Sequence, residues 1–182
     1  IIMCRQNLCG IDEAGRGCLA GTLVISGVEF NENASIKGLN DSKKITHKNR
    51  ELLYEQIILN SIYKIVTIDN NQIDKQGLSL CIKKAILTII KHIDDNAKKP
   101  ISYLMDGNFT FGIDVLECKI KADSTVQQVM GASILSKVTK DRYMINLHNH
   151  KSGKYAKYNF AKNKGYGTQE HMQAIKEFGL SD

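Results

Sequence analysis

The stretch 79–95 constrains the fold more than any other. Ile82, Ala85, Ile86, Ile89, Ile90 and Ile93 recur at helical spacing, with Lys83, Lys84 and Lys91 turned outward. The AKKP that follows at 97–100 stops the helix, because a proline restricts the residue before it. Around this helix lie short runs rich in β-branched and apolar residues. Residues 8–12 (LCGID), 22–30 (TLVISGVEF), 63–68 (YKIVTI), 101–106 (ISYLMD) and 115–120 (VLECKI) read as strands. The loop between the first two is short, which predicts an antiparallel pair. Ser42 is expected to cap a helix running to about Asn60, with Leu52, Leu53 and Ile57 facing inward. A long helix is expected from Ser124 or Thr125 to Asn149, with Val126, Met130, Ile134 and Val138 stacked on one face, and a short one near 168–178. The order β-β-α-β-α-β-β-α plus a tail implies an α/β fold: a mixed sheet flanked by helices.

At 182 residues the chain suits one domain and is long enough to bury a core without staples. Its net charge of +6 is unevenly placed: eight basic residues stand against Asp141 alone between Lys137 and Lys164. The remainder is close to neutral. Such a block suits a polyanion partner and equally a solvated lysine surface. Five cysteines (Cys4, Cys9, Cys18, Cys81 and Cys118), an odd number with no CxxC pair, are expected to be reduced thiols in a cytoplasmic protein. No apolar run approaches membrane-spanning length and no signal peptide is evident, so no membrane partner is expected.

Residues 10–17 read GIDEAGRG, and Asp12 and Glu13 close the first predicted strand. Asp106 closes a later one, directly before Gly107, and Asp123 follows a short strand in KADS (121–124). The carboxyl ends of strands are where sites form in open α/β sheets. Singly, each acid reads as a solvated strand end, a turn or a helix cap. Jointly, beside a basic region, they read as metal-dependent chemistry at phosphorus. Converging carboxylates need hard divalent cations, and a pair of ions about 4 Å apart supports in-line displacement. Neighbouring residues of a regular strand point to opposite faces, so Asp12 and Glu13 share a site only if the strand bends or ends there. Gly15, Gly17 and Gly21 do not fit G-x-G-x-x-G, and no P-loop is present, which disfavours a nucleotide-binding loop.

GIDEAGRG (10–17), LNDSKK (39–44), MDGN (105–108), KADS (121–124), ASILSKVTKDR (132–142) and GYGT (165–168) occur in that order. Together they resemble bacterial ribonuclease HII, of the type 2 ribonuclease H family, along nearly the whole chain. The resemblance implies a ribonuclease H-like mixed sheet with a small helical C-terminal extension. Residues 1–150 would form the catalytic domain, and 151–182 a substrate-contacting extension packed on it. It implies hydrolysis of the RNA strand of RNA–DNA hybrids, and incision 5′ of ribonucleotides embedded in duplex DNA, leaving 3′-hydroxyl and 5′-phosphate ends. Asp12, Glu13, Asp106 and Asp123 match the family's catalytic acids, holding two Mg²⁺ or Mn²⁺ ions. Gly15, Arg16, Gly17, Lys43 and Tyr166 match substrate-contacting positions, Tyr166 near the ribose that carries the 2′-hydroxyl. Two departures stand out. Cys18 occupies a place where proline is usual, and Ala122 one where glycine is common. A monomer is the simpler expectation.

Asp141 is expected to pair with a neighbouring lysine rather than act in the site, and His171 to be structural. Metal binding by His148 and His150 is not expected. Tyr155, Tyr158 and Phe160, interleaved with lysines, fit either base stacking or core aromatics with snorkelling lysines. A non-catalytic nucleic-acid-binding module and another nuclease of the same broad fold, a junction resolvase or the sibling ribonuclease HIII, are the competing readings.

Overall fold

The computed structural model describes residues 7–32, 34–40, 42 and 45–181. A five-stranded sheet runs through its middle. Strand β1 (Leu8–Ala14) is central, flanked on one side by antiparallel β2 (Leu23–Phe30) and then antiparallel β3 (Ser61–Ile68). On its other side lie β4 (Ser102–Asp106) and β5 (Leu116–Lys119), each parallel to its inner neighbour. The spatial order is β3-β2-β1-β4-β5. The carboxyl ends of β1, β4 and β5 therefore lie along one edge.

Helices cover both faces of the sheet. Helix α1 (His47–Leu59) follows β2, and α2 (Asn70–Gln76) leads into α3 (Leu78–Asn96), which packs its isoleucine stripe onto Cys9, Ile11, Leu23, Ile25 and Tyr103. Helix α4 (Gln127–His148) lies on the opposite face, with α1 beside it through Leu53, Ile57, Ile134, Leu135 and Val138. Strand alternation sorts β1 between the layers: Cys9 and Ile11 meet α3, while Leu8 and Gly10 meet α4. At Gly10 the approach is backbone to backbone. A Cβ there would lie 2.3 Å from both Gln128 C and Val129 N, so only glycine fits.

The tail folds into short pieces, α5 (Phe160–Asn163) and α6 (Gln169–Phe178). Tyr158 and Phe160 are buried with Met144 of α4 and Ala174 of α6, their rings stacked 5.4 Å apart. Of the two readings for these aromatics, the structure shows the core one. No helix among the described residues is long and apolar enough to cross a membrane.

Several boundaries differ from expectation. Thr46, not Ser42, caps α1, its hydroxyl accepting from the Asn49 amide. Leu52 is not on the inner face but 57% exposed, and Leu53 and Ile57 carry the burial. Helix α2 was not anticipated; Asp69 and Gln72 form a capping box that starts it. The long helix begins at Gln127, because Ala122–Ser124 closes a separate 3-10 turn and Val126 is extended (φ −119°, ψ 119°). Asp12 and Glu13 do not end their strand, since β1 continues through Ala14.

Candidate active site: a carboxylate cleft at the strand ends

Pairing between β1 and β4 stops at Ile11↔Met105, while β1 continues to Ala14. Beyond that point the β4 side of β1 is an open edge. Residues on both faces of β1 can reach the same space there, and so Asp12 and Glu13 line one cleft although they are strand neighbours. The cleft has a volume of about 530 Å³. Asp106, the last residue of β4, and Asp123, in the 3-10 turn after β5, complete its acidic wall. Gly15, Arg16, Gly17, Lys137 and Tyr166 line the same cleft.

Asp12 is held from several directions and is only 6% exposed. Its carboxylate accepts from the Glu13 amide (2.8 Å) and from the Ser133 hydroxyl, and Ser133 lies 2.9 Å from the hydroxyl of Ser42. The Ser136 hydroxyl donates to the Asp12 carbonyl (2.9 Å), fixing the strand beneath the side chain. Asp106 Oδ1 accepts from the Ala122 amide at 2.7 Å. Lys121, before that turn, has left-handed backbone (φ 59°), which redirects the chain so that Asp123 enters the cleft.

The electrostatics call for a cation. Burial pushes the Asp12 carboxyl up to about 8; the hydrogen bond from Ser133 opposes the rise, and the charges of Glu13 and Asp106 add to it. Burial also raises Glu13, opposed by Arg16 at 3.7 Å and reinforced by Asp106. Glu13 Oε2 is buried with no hydrogen-bond partner among the described residues. An orphaned anionic oxygen facing other carboxylates suits a hard divalent ion such as Mg²⁺ or Mn²⁺. Among the described residues no three His, Cys, Asp or Glu side chains form a ready-made metal cage. The acids line one cleft rather than enclosing a point.

The Gly15–Cys18 turn at the rim of the cleft is locked to the tail. Gly15 takes φ +108° and its carbonyl accepts from the Cys18 amide (3.1 Å). Cys18 bridges Tyr166 in antiparallel fashion, and Leu19 donates to the Gly165 carbonyl (2.9 Å). Tyr166 stands 39% exposed, its ring centroid 5.3 Å from Lys137 Nζ and 5.2 Å from Lys140 Nζ. The buried His171 donates through Nδ1 to the Tyr166 carbonyl (2.9 Å), the structural place foreseen for it. Asp141 pairs with Lys137 at 2.8 Å, as foreseen, and with Arg50 at 3.8 Å.

Asp12, Glu13, Asp106, Asp123, Gly15, Arg16, Gly17 and Tyr166 thus line one cleft. Lys43 lies outside the described residues. Ser42, Ser133 and Lys137 were not anticipated as lining residues. Ser133 and Lys137 sit four apart on α4, and that helical spacing within ASILSK was the available signal.

A profile of the family described as Ribonuclease HII matches residues 9–182. The ribonuclease HII of Aliarcobacter butzleri is 51% identical over 177 residues, covering 97% of this chain and 88% of the relative. That of Sulfurovum sp. is 46% identical over 173 residues, covering 95% and 86%. Among solved structures, the RNase HII in a PCNA:RNase HII complex from Archaeoglobus fulgidus superposes with a TM-score of 0.75 at 24% identity, covering 96% of this chain and 90% of that one. A Bst-RNase HIII in complex with Mn²⁺ gives 0.70 at 18% identity, covering 94% and 70%. These two share the fold: a mixed five-stranded sheet between helices. With motifs, profile and relatives agreeing over nearly its full length, the chain belongs to the ribonuclease HII family.

Proposed function

We propose that this endoribonuclease hydrolyses the RNA strand of RNA–DNA hybrids and incises duplex DNA on the 5′ side of an embedded ribonucleotide. The observation that carries the reading is the shared cleft, which four carboxylates line together with the Gly15–Gly17 turn, Lys137 and Tyr166. An acidic wall alone would repel a polyanion. A basic and glycine-rich rim on the same cleft gives the phosphodiester a place to lie.

Asp12, Glu13, Asp106 and Asp123 are the residues that would hold Mg²⁺ or Mn²⁺. When bound, such ions supply the positive charge that turns water into a nucleophile and stabilises the departing oxygen. The chain's own residues do the rest. Ser133 and the Ala122 amide hold the Asp12 and Asp106 carboxylates, and Ser136 fixes the main chain beneath Asp12. The bare, exposed backbone at Gly17, with nothing within 4 Å of where a Cβ would stand, lets the nucleic-acid backbone approach closely, with Arg16 and Lys137 facing phosphate. Tyr166 sits beside the ribose, where the 2′-hydroxyl separates RNA from DNA. Lys43 adds a phosphate contact. Residues 151–181 serve as a substrate-contacting extension of the catalytic body, and the enzyme acts as a monomer. Water adds to phosphorus and the bond to the 3′-oxygen breaks, which leaves a 3′-hydroxyl upstream and a 5′-phosphate on the ribonucleotide.

The test is a DNA duplex carrying one ribonucleotide, incubated with wild type and with Asp12→Asn in Mg²⁺, Mn²⁺ or chelator, with the cut mapped. A metal-dependent cut 5′ of the ribonucleotide, absent in the variant, is expected. An uncut duplex alongside a cut RNA–DNA hybrid would remove the roles given to Gly15–Gly17 and Tyr166. Binding without cutting, under every metal, would replace the nuclease by a binding module.

A further inference from the structure

The chemistry described above makes no use of the most deeply buried charged side chain on this side of the molecule. Lys140, on α4, has no exposed surface. Burying an ammonium is costly unless its donors find partners. Here Nζ donates to the Lys164 carbonyl at 2.5 Å, contacts the Cys18 thiol, and lies 5.2 Å from the centroid of the Tyr166 ring. The methylenes run under the turn: a Cβ added at Gly15 would lie 2.6 Å from Lys140 Cε. One side chain therefore touches the 15–18 turn and the 164–166 segment, which are distant in sequence and also meet at the bridge between Cys18 and Tyr166, where the Cys18 thiol lies 3.8 Å from the Lys164 carbonyl.

We infer that Lys140 is a positioning residue that clamps the Tyr166 segment onto the Gly15–Cys18 turn and so sets where the tyrosine stands in the cleft. The inference rests on the reading of Tyr166 as a ribose contact. Lys137 also faces the ring, one helical turn earlier, but it pairs with Asp141 at 2.8 Å, lines the open rim and makes no main-chain contact with the tail among the described hydrogen bonds. Lys140 alone combines a main-chain hydrogen bond to the tail with a cation–π contact and packing beneath the turn. A methionine would fill much of the same volume. It would leave the Lys164 carbonyl without that donor and the ring with one of its two cations removed. Arginine would keep both functions.

The experiment is a double-mutant cycle read as kcat/KM on duplex DNA with a single ribonucleotide. Lys140→Met is expected to lower kcat/KM by about 10²-fold, the cost of misplacing a contact by about an ångström. Lys140→Arg is expected to recover most of that loss. In a Tyr166→Ala background, Lys140→Met is expected to cost nothing further, because the group it positions is gone. A full additive loss in that background overturns the clamp and leaves the role of Tyr166 standing. Wild-type rates in Lys140→Met do the same. A Tyr166→Ala variant as active as wild type removes the clamp and the ribose contact together. Circular dichroism and melting check each variant. If Lys140→Met does not fold, Lys140→Gln, which keeps a donor but loses the charge, runs through the same cycle with the same criteria.

Discussion

The carboxylate of Asp106 accepts a hydrogen bond from the amide of Ala122 at 2.7 Å, one residue before Asp123. One acid of the cleft thereby holds in place the turn that delivers another. Charge and structure are separable at this position. Asp106→Asn keeps an acceptor oxygen and is expected to fold like wild type while losing nuclease activity. Asp106→Ala strands a buried amide, at a cost of about 1–3 kcal/mol. For a domain of this size each of those kilocalories lowers the melting temperature by roughly 2–4 °C. Equal melting of the two variants would show that the Ala122 contact contributes nothing.

Gly10→Ala should be among the more damaging single-methyl additions to this protein. The new Cβ would meet the Gln128–Val129 peptide at 2.3 Å, and backbone cannot step aside as a flexible side chain can. Overpacking of this kind costs about 1–3 kcal/mol. Urea denaturation of wild type and variant, compared at the midpoint, measures it. An unchanged midpoint would mean that α4 does not press on β1 as closely as described.

Affinity for an RNA–DNA hybrid, measured with Asp12→Asn to prevent cutting, should fall as salt rises. Each phosphate contact contributes close to one unit of slope in a log–log plot. Adding Arg16→Ala or Lys137→Ala should flatten the slope by about one unit each. A slope that neither substitution changes would move the phosphate track away from this rim.

Divalent ions should stabilise the folded chain even without substrate, because they relieve repulsion among the four acids. Ligand at 100 times its dissociation constant adds about 2.7 kcal/mol. Thermal melts in Mg²⁺, in Mn²⁺ and in chelator should show the rise in wild type and a much smaller one in Asp12→Asn. Identical curves for wild type with and without metal would count against the carboxylate wall as the ion site.

The sequence exposed the layers of the fold because they rest on local periodicity. Ile82 through Ile93 could face only one way, and the β1–β2 pair followed from a short loop. What it concealed depends on partners distant in the chain. Ser42 resembled a helix cap in its local setting, but its hydroxyl is taken by Ser133, 91 residues away. Leu52 fitted a helical stripe as well as Leu53 did, and only the position of α4 decided which was buried. That Asp12, Glu13, Asp106 and Asp123 gather on one cleft was legible through their motifs. The way Asp12 and Glu13 reach one space was not, since it depends on β4 ending before β1 does. Lys140 gave no sign of burial, because a lysine followed by Asp141 on a helix ordinarily faces water.

The strand order also sets a timetable for synthesis. β1, β2 and β3 are neighbours in the sheet and successive in the chain, so a polypeptide leaving the ribosome can close this meander on near contacts. β4 emerges later and docks onto the waiting edge of β1, β5 adds to β4, and α4 covers the face. Asp12 and Glu13 thus spend the early life of the chain without Asp106 and Asp123 beside them. The mutually repelling charges are gathered only once the scaffold that tolerates their repulsion has been made.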